Sequence, residues 1–387
     1  MDEGGQNQQQ TYNAVAEPLL PAVFDNELPP SQTIPAPDTS PVIAAAPVSA
    51  NNLPVGEQFD VIGVGDINTD AFIRLFKDQA RSYEDNLGKW LAMPFATKLP
   101  FDFTEIIEGV GNASNATVAC SRLGLKTALV TNVGGDQYGR DMIMALGKNS
   151  VDHRFVRINP DKKSNYHHVL WYEEERTILV KHEEYDYAWP HLRSNELPKW
   201  LYFSSTSEHA IPYHDQVSDW LDENPAVKLA FGPGTYQLEA GAERLSRIYR
   251  RTEVLVLNRE EAVKVSGGNY DDIHDLLSRL HALGPKTVVI TDGPKGAYAS
   301  NGQEVLKMPL YPDPAPPYER TGAGDAFAAT FVAALIKGNT IEGALQWAPI
   351  NSMSVVQKVG SQAGLLNEAG IEAWLRQAPD WYKSERL

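Results

Sequence analysis

Strand-like and helix-like segments alternate from residue 59 onward, and this alternation limits the fold more than any other feature of the sequence. The strand-like segments are short, almost wholly apolar runs, typical of strands buried on both faces of a sheet. They occupy residues 59–65, 127–133, 200–204, 227–231, 254–257 and 287–291. Helical spacing is clearest in residues 115–123, 141–146 and 324–336. The alternation predicts a three-layer α/β/α domain, with a mostly parallel central sheet between two layers of helices.

A different pattern interrupts this alternation between about residues 155 and 180. Residues 154–158, 166–173 and 176–180 alternate polar and apolar side chains, are rich in β-branched residues and are separated by polar turns. This pattern predicts antiparallel strands instead of further strand–helix units. We therefore expect a small antiparallel β lid, with strands drawn from about residues 68–108 and 154–185.

The first 57 residues differ in composition from the rest of the chain. They contain nine prolines, seven acidic residues and no lysine or arginine; the first basic residue is Arg74. Prolines at this density block both helices and sheet ladders, and few large apolar side chains offset the entropy of ordering. We predict a disordered leader over residues 1–57, acting as a docking tail or as a plain spacer, and a folded domain over residues 58–380.

Charge and cysteine content exclude several classes of protein. The formal net charge of −16 argues against nucleic acid or an anionic membrane as partner, because both attract basic surfaces. A single cysteine, Cys120, excludes an intramolecular disulfide framework and a multi-cysteine zinc site. No apolar run is long enough to span a membrane. We expect a soluble, cytoplasmic protein.

Several familiar catalytic motifs are missing. The glycine-rich stretches at residues 63–68 and 109–114 lack the third glycine of the dinucleotide-binding fingerprint. The chain has no G-x-x-x-x-G-K-[ST], no H-E-x-x-H and no G-x-S-x-G sequence. These absences argue against a dinucleotide-dependent dehydrogenase, a P-loop nucleotidase, a zinc protease of that type and a serine hydrolase.

The strongest functional signal lies at residues 320–327. Gly322, Ala323 and Gly324 open a strongly apolar helix, so that its first free N–H groups can approach an anion closely. Asp325 follows them in the first turn. Its carboxylate either complements the helix dipole or accepts a proton from a hydroxyl that attacks a phosphoryl group.

This segment resembles the C-terminal signature of the ribokinase-like (PfkB) carbohydrate kinase family. Four further stretches resemble motifs of that family in the same order: residues 111–124, 134–139, 258–261 and 291–297. The five matches span about residues 59 to 365. The resemblance implies a ribokinase-like three-layer fold and an ATP-dependent kinase that phosphorylates an alcohol group.

The resemblance also implies roles for individual residues on the nucleotide side. Asp325 would be the catalytic base, and the backbone of Gly322, Ala323 and Gly324 would stabilise charge on the transferred phosphoryl group. Asn258 and Glu261 would place Mg²⁺ and its waters, although N-x-x-E is also a helix capping box. The remaining expected nucleotide contacts are Thr291 and Gly293 along the nucleotide, Gly296 in its tight turn, and Asn351 near the adenine.

The acceptor side has its own set of candidates. Asn68 and Asp70 fall on one side of an extended chain, as two groups that bind neighbouring hydroxyls must. The resemblance adds Asn115 as a third sugar contact and Gly111 as a point of close approach. The alternatives are a polar loop with Asx turns for the first pair and a helix N-terminal residue for Asn115.

Some positions depart from the family pattern. Val110 stands where the family usually has a glycine, and residues 231–234 differ from its usual sequence. Glu319 replaces an aspartate associated with a monovalent cation, so activation by potassium is left open. Aromatic residues in the lid would cover a sugar or stack on a nucleobase, or else serve packing alone; they are Trp171, Tyr172, Tyr185, Tyr187 and Trp189.

We therefore expect a kinase that uses ATP and Mg²⁺ to phosphorylate a sugar hydroxyl, with a pentose such as ribose as the leading acceptor. A nucleoside kinase is the alternative, and a catalytically silent binding protein is a further one. A phosphorylated sugar is disfavoured as acceptor, because no set of arginines and lysines is evident for a second phosphate. A homodimer through the lid strands is a further expectation from the resemblance.

Overall fold

The structure is a computed structural model and describes residues 58–86, 88–173 and 175–387. The leader expected over residues 1–57 lies outside the described residues. The strands of the described part are β1 Val61–Val64, β2 Asn68–Leu75, β3 Arg81–Asp85, β4 Gly88–Ala92, β5 Phe101–Val110, β6 Thr127–Gly134, β7 Val156–Asn159, β8 Tyr166–Tyr172, β9 Glu175–Leu179, β10 Trp200–Phe203, β11 Lys228–Phe231, β12 Thr252–Asn258, β13 Thr287–Thr291, β14 Ala297–Ser300, β15 Val305–Met308 and β16 Glu385–Arg386.

The central sheet contains ten of these strands, in the order β16-β15-β14-β13-β12-β11-β10-β1-β6-β7. All neighbours from β13 to β7 pair in parallel, whereas β13, β14, β15 and β16 pair antiparallel. The six apolar runs singled out in the sequence all lie in the parallel part. The prediction of a mostly parallel central sheet is confirmed.

Helices cover both faces of this sheet. They are α1 Asn112–Arg122, α2 Gln137–Lys148, α3 Tyr213–Glu223, α4 Thr235–Arg244, α5 Ser246–Arg251, α6 Arg259–Ser266, α7 Ile273–Ala282, α8 Ala323–Ile336, α9 Ile341–Val355 and α10 Glu368–Arg376. Successive strand residues face opposite sides, so that Val254 packs in the cluster of α1, α8 and α9 and Leu255 in that of α3, α5 and α7. The three-layer prediction is confirmed.

Two helices bear on the site through their ends. Helix α1 ends at Arg122, and Gly124 just beyond it adopts a φ of +84°, which a residue with a side chain rarely adopts. Helix α8 begins at Ala323, one residue before the start expected from the sequence, and is buried over most of its length. No helix in the described part of the chain is both long and apolar enough to cross a membrane.

The lid is a four-stranded sheet in the order β5-β2-β8-β9. The hairpin β3–β4 lies between β2 and β5 in the chain and forms a separate two-stranded sheet. The pairs β2–β5 and β8–β9 are antiparallel as predicted, whereas β2 and β8 run parallel. Both of these strands follow parallel strands of the central sheet, β1 and β7, and so leave it in the same direction. Within the range expected for the lid, β7 pairs with β6 of the central sheet instead.

Candidate active site

The carboxylate of Asp325 is held by two amides from the opposite helix. Asn115 Nδ2 donates to Asp325 Oδ2 over 2.7 Å, and Asn112 Nδ2 donates to Oδ1 over 2.9 Å. The first turns of α1 and α8 therefore face each other across the site. The sequence identified Asp325 and Asn115 separately, and the structure brings them together. The sequence did not identify Asn112 as a site residue.

Two residues that follow α9 orient the Asn115 amide. Asn115 Oδ1 accepts hydrogen bonds from Ser361 Oγ (2.8 Å) and from Gln362 Nε2 (3.1 Å). Because these bonds fix the oxygen side of the amide, its NH₂ group must point towards Asp325. Ser361 and Gln362 lie outside every motif found in the sequence, so nothing there singled them out.

The environment of Asp325 sets its basicity. Burial raises the pKa of the Asp325 carboxyl, while the hydrogen bonds from Asn115 and Asn112 and the charge of Arg176 act in the opposite direction. A raised pKa makes the carboxylate a stronger proton acceptor. The two amides therefore hold the carboxylate in position and also help to keep it ionised.

The first backbone N–H groups of α8 have no partners inside the helix, and that of Ala323 makes a long contact, 3.5 Å, with the Arg320 carbonyl oxygen. Gly322, the N-cap, has a φ of +81° and makes no side-chain cap, and a Cβ there would lie 2.5 Å from Ser361 Cα. Gly324 is exposed, and a Cβ built on it would meet no atom within 4 Å. The first N–H groups of a helix lack partners inside the helix and favour anions. Gly322, Ala323 and Gly324 thus form an open end of α8 beside Asp325.

The expected acceptor residues lie where lid strand β2 begins, against the start of α1. Asn68 Nδ2 donates to Asp70 Oδ1 over 2.5 Å, and both side chains are buried. A Cβ on Gly111 would lie 2.7 Å from the Asp66 carbonyl oxygen and 3.1 Å from Asn68 Oδ1. Only a glycine lets the start of α1 approach this loop so closely. The loop after β1 therefore sits against the helix that carries Asn115.

Asp66 belongs to the same cluster, although it was not a candidate from the sequence. Its carboxylate accepts hydrogen bonds from Tyr187 Oη (2.7 and 2.9 Å) and from the backbone N–H of Ser207 (2.7 Å). Burial raises the pKa of Asp66 to about 6. The lid aromatic Tyr187 thus closes one side of the cluster through a polar contact as well as by packing.

The N-x-x-E segment forms the helix capping box that was its alternative interpretation. Asn258 Oδ1 accepts from the N–H of Glu261 (2.8 Å), and Glu261 Oε2 accepts from the N–H of Asn258 (2.9 Å). Burial raises the pKa of Glu261, and the negative charge of Asp325 raises it further. The capping box therefore places Glu261 on the side of the site where Asp325 lies.

The residues present fit a weakly held Mg²⁺ ion. Among the described residues, no three or more His, Cys, Asp or Glu side chains are grouped to hold a metal ion. Mg²⁺ bound with a nucleotide usually keeps several waters and uses one or two carboxylates together with phosphate oxygens. The single Glu261 carboxylate suits that kind of site and does not suit an all-protein cage.

A buried ion pair holds the second expected nucleotide loop. Asp292, next to Thr291, pairs with Arg259, the first residue of α6. Gly293 and Gly296 in the same turn have φ values of +48° and +92°. The turn after β13 is therefore fixed against the capping box after β12. The sequence identified both loops but not the ion pair that joins them.

Asn351 does not lie where the sequence placed it. Its side chain is fully buried, Nδ2 donates to Thr330 Oγ1 (2.7 Å), and Oδ1 accepts from the N–H of Leu366 (2.8 Å). Both polar atoms of the amide bond to other parts of the protein, and the buried side chain is not exposed to an adenine ring. Asn351 joins α9 to α8. The structure therefore does not support its predicted role in nucleotide binding.

Arg176 is a site residue that the sequence did not reveal. This arginine of lid strand β9 places Nε 3.7 Å from Glu319 Oε1. The Glu319 carboxylate also accepts from the N–H (2.7 Å) and Oγ1 (2.5 Å) of Thr321. Next to Arg176 in the lid, Trp171 packs edge-on against Tyr318. The lid therefore brings a positive charge to the loop that precedes α8.

Comparisons with known proteins bear on the family and the fold. Residues 109–368 match the family model described as pfkB family carbohydrate kinase. The ATP-dependent 6-phosphofructokinase of Thermoanaerobacterium thermosaccharolyticum is 25% identical over 248 residues, 61% of this chain and 75% of that protein. The cytidine kinase of Thermococcus kodakarensis is 28% identical over 259 residues, 65% of this chain and 88% of that protein. The solved structure of Arabidopsis thaliana ribokinase with ribose and ATP has a TM-score of 0.67 at 18% identity, covering 82% of this chain and 99% of that chain.

Proposed function

Because this chain belongs to the pfkB family of carbohydrate kinases, we propose that it transfers the γ-phosphoryl group of ATP to a hydroxyl of a sugar, with Asp325 as general base. The supporting observation is the position of the Asp325 carboxylate. It is held by Asn115 and Asn112 at the open end of α8. A proton acceptor and an anion-binding helix end thus lie side by side, as phosphoryl transfer to an alcohol requires.

The reaction follows from this placement. Asp325 takes the proton of the acceptor hydroxyl as its oxygen forms a bond to the γ-phosphorus, and the bond to the β,γ-bridging oxygen breaks to release ADP. The N–H groups of Gly322, Ala323 and Gly324 stabilise negative charge on the transferred group. Glu261 and Asn258 would hold Mg²⁺ through its waters, and the ion would supply positive charge to the phosphate oxygens. The turn at Thr291, Gly293 and Gly296 lies along the nucleotide.

A pentose such as ribose is the leading acceptor. Asn68, Asp70 and Asn115 offer several hydrogen-bonding groups, and Gly111 lets the loop before Asn68 pack closely against the helix that carries Asn115. A nucleoside is the second candidate. It is favoured by the similarity to a cytidine kinase and by the aromatic residues of the lid. A catalytically silent binding protein is the remaining alternative.

The decisive test compares wild type, Asp325→Asn and a matched control, the exposed Asp380→Asn, in an ADP-formation assay with a panel of sugars and nucleosides. We expect kcat of Asp325→Asn to fall about 100- to 10,000-fold, as for loss of a general base. Asp380→Asn should retain wild-type activity. Equal turnover in wild type and Asp325→Asn would overturn the assignment of the base. No turnover by wild type with any acceptor would overturn the kinase proposal.

Three further expectations remain predictions: a homodimer through the lid, a cytoplasmic location and the response to potassium. The structure bears on the last through Glu319: its Oε1 is engaged by Arg176 and Thr321, whereas its buried Oε2 has no hydrogen-bond partner among the described residues. Assays in sodium-, potassium- and tetramethylammonium-based buffers of equal ionic strength measure the response.

A further inference from the structure

Two histidines of the lid face the two buried acids of the acceptor cluster. His167 Nδ1, in β8, lies 3.5 Å from Asp70 Oδ1, and His182 Nδ1, beyond β9, lies 4.0 Å from Asp66 Oδ2. The two imidazole rings meet edge to face, with centroids 5.3 Å apart. The His182 ring in turn meets Tyr236, with centroids 5.7 Å apart. These rings form one wall of the acceptor cluster.

Each histidine has a buried nitrogen without a hydrogen-bond partner. Within the described residues, neither His167 Nε2 nor His182 Nδ1 has a partner, and both atoms are shielded from solvent. Buried polar atoms are nearly always paired, because an unpaired one loses its hydrogen bonds to water without replacement. The carboxylates beside them are engaged, Asp66 by Tyr187 and Asp70 by Asn68. The two nitrogens are thus free to bond a molecule in this cluster.

The charge of the cluster limits what that molecule can be. Asp66 and Asp70 are buried acids, and each lies beside one of the two lid imidazoles. Burial lowers the pKa of His182 to about 4, with further contributions from His167 and His209, so His182 is neutral near pH 7. The lid arginine Arg176 lies 3.7 Å from Glu319, and its charge acts on Asp325. A phosphate or carboxylate held against the histidine wall would therefore meet the two buried acids behind it.

We propose that His167 and His182 hydrogen-bond hydroxyls of an uncharged, polyhydroxylated acceptor, and that this wall rejects acceptors that already carry a phosphate or carboxylate. The inference rests on the proposed kinase activity and narrows its substrate class. The proposed acceptor differs from that of the similar 6-phosphofructokinase, because the name of that protein implies a phosphorylated acceptor. Hydroxyls serve both orphan nitrogens because a hydroxyl donates and accepts, whichever imidazole tautomer is present.

The test measures ADP formation by the wild-type full chain with matched pairs of acceptors. The pairs are ribose and ribose 5-phosphate, fructose and fructose 6-phosphate, glucose and gluconate, and cytidine and cytidine 5′-monophosphate. We expect turnover with at least one neutral member and a kcat/KM at least about 100-fold lower for its charged partner, as expected where a site leaves buried groups unpaired. His167→Gln and His182→Gln should each raise KM for the neutral acceptor about 10-fold while leaving KM for ATP unchanged. His168→Gln, its exposed neighbour on β8, should change neither constant.

The outcomes separate this inference from the proposed function. A higher kcat/KM for a charged acceptor than for its neutral partner would overturn the inference and leave the kinase assignment standing. An unchanged acceptor KM in both His167→Gln and His182→Gln would also overturn it. Transfer to no acceptor of the panel would overturn the kinase proposal itself. The wild-type comparison needs no variant to fold, and thermal unfolding of each variant shows whether a raised KM reflects a folded protein.

Discussion

The side-chain amide of Asn115 and the carboxylate of Asp325 meet at 2.7 Å across 210 residues of chain. This contact joins the start of α1, which also bears on the acceptor loop through Gly111, to the start of α8, where the phosphoryl group is proposed to bind. The proposed proton acceptor would thereby stand between the two substrates.

Replacing Asn115 by alanine should shift the pH dependence of activity. Removal of a hydrogen bond to the ionised form raises the pKa of Asp325 beyond the increase that burial already causes. The base is lost when pH falls through its pKa, so the acid limb of the kcat/KM profile should move to higher pH. The profile is measured between pH 4.5 and 9. Asn224→Ala at the end of α3 should retain the wild-type profile, and an unmoved acid limb in Asn115→Ala would contradict the assigned role.

Replacing Gly322 by alanine should damage both stability and activity. Gly338, at the other end of α8, also has a positive φ (+92°) but has open space where a Cβ would be. At either position, an alanine in the left-handed conformation lowers the stability by about 1–2 kcal/mol. Only Gly322→Ala also collides with the backbone of Ser361. We expect the free energy of unfolding of Gly338→Ala, measured in urea, to fall only by this conformational cost. Its kcat should stay at the wild-type value. Equal behaviour of the two variants would show that close packing at Gly322 is unimportant.

Replacing Arg176 by methionine should lower kcat by about 100-fold, on the scale of losing one group that stabilises transition-state charge. Its guanidinium lies next to Glu319 and its charge acts on Asp325. The kcat of Arg176→Lys should lie between those of the wild type and of Arg176→Met, because lysine keeps the charge but lacks the planar guanidinium group. Arg81→Met, on the exposed lid hairpin, is the control for general damage to the lid. A wild-type kcat in Arg176→Met would rule out a part in the chemical step.

Replacing Asp292 by asparagine should destabilise the protein and weaken nucleotide binding. The change leaves Arg259 charged and buried, and breaking a buried pair in this way typically costs about 3–5 kcal/mol. Glu372→Gln, which breaks the exposed pair with Arg376, should cost less than about 0.5 kcal/mol. Urea unfolding gives both values, and KM for ATP should rise only in Asp292→Asn. If Asp292→Asn lowers the stability but leaves KM for ATP unchanged, the ion pair has no part in nucleotide binding.

Much of this arrangement followed from the sequence, because apolar runs and glycine-rich turns are local features. They located β1, β6, β10 to β13 and α8, and with the motif order they identified Asn115 and Asp325. The Arg259–Asp292 pair was missed for a physical reason. Each residue lies one position beyond a predicted motif residue, but their contact depends on the register that pairs Asn258 with Thr291 across β12 and β13.

Other features depended equally on tertiary placement. Arg176 reaches Glu319 only because β9 pairs with β8 and the lid lies over the segment before α8. The parallel pairing of β2 with β8 depends on how both strands leave the central sheet. For Asn351, a helical position alone does not tell an amide buried between helices from one that faces a ligand. The error in its predicted role has this origin.

The amide cluster around Asn115 also bears on the order in which the enzyme can become active during synthesis. The acceptor residues from Asn68 to Asn115 leave the ribosome first, and Asp325 follows 210 residues after Asn115. The groups that orient Asn115, Ser361 and Gln362, are made later still. A nascent chain that stops before Ser361 has already made its proposed base, its helix end and its acceptor loop. It nevertheless lacks the hydrogen bonds that turn Asn115 towards Asp325, so the complete reaction centre is a late product of translation.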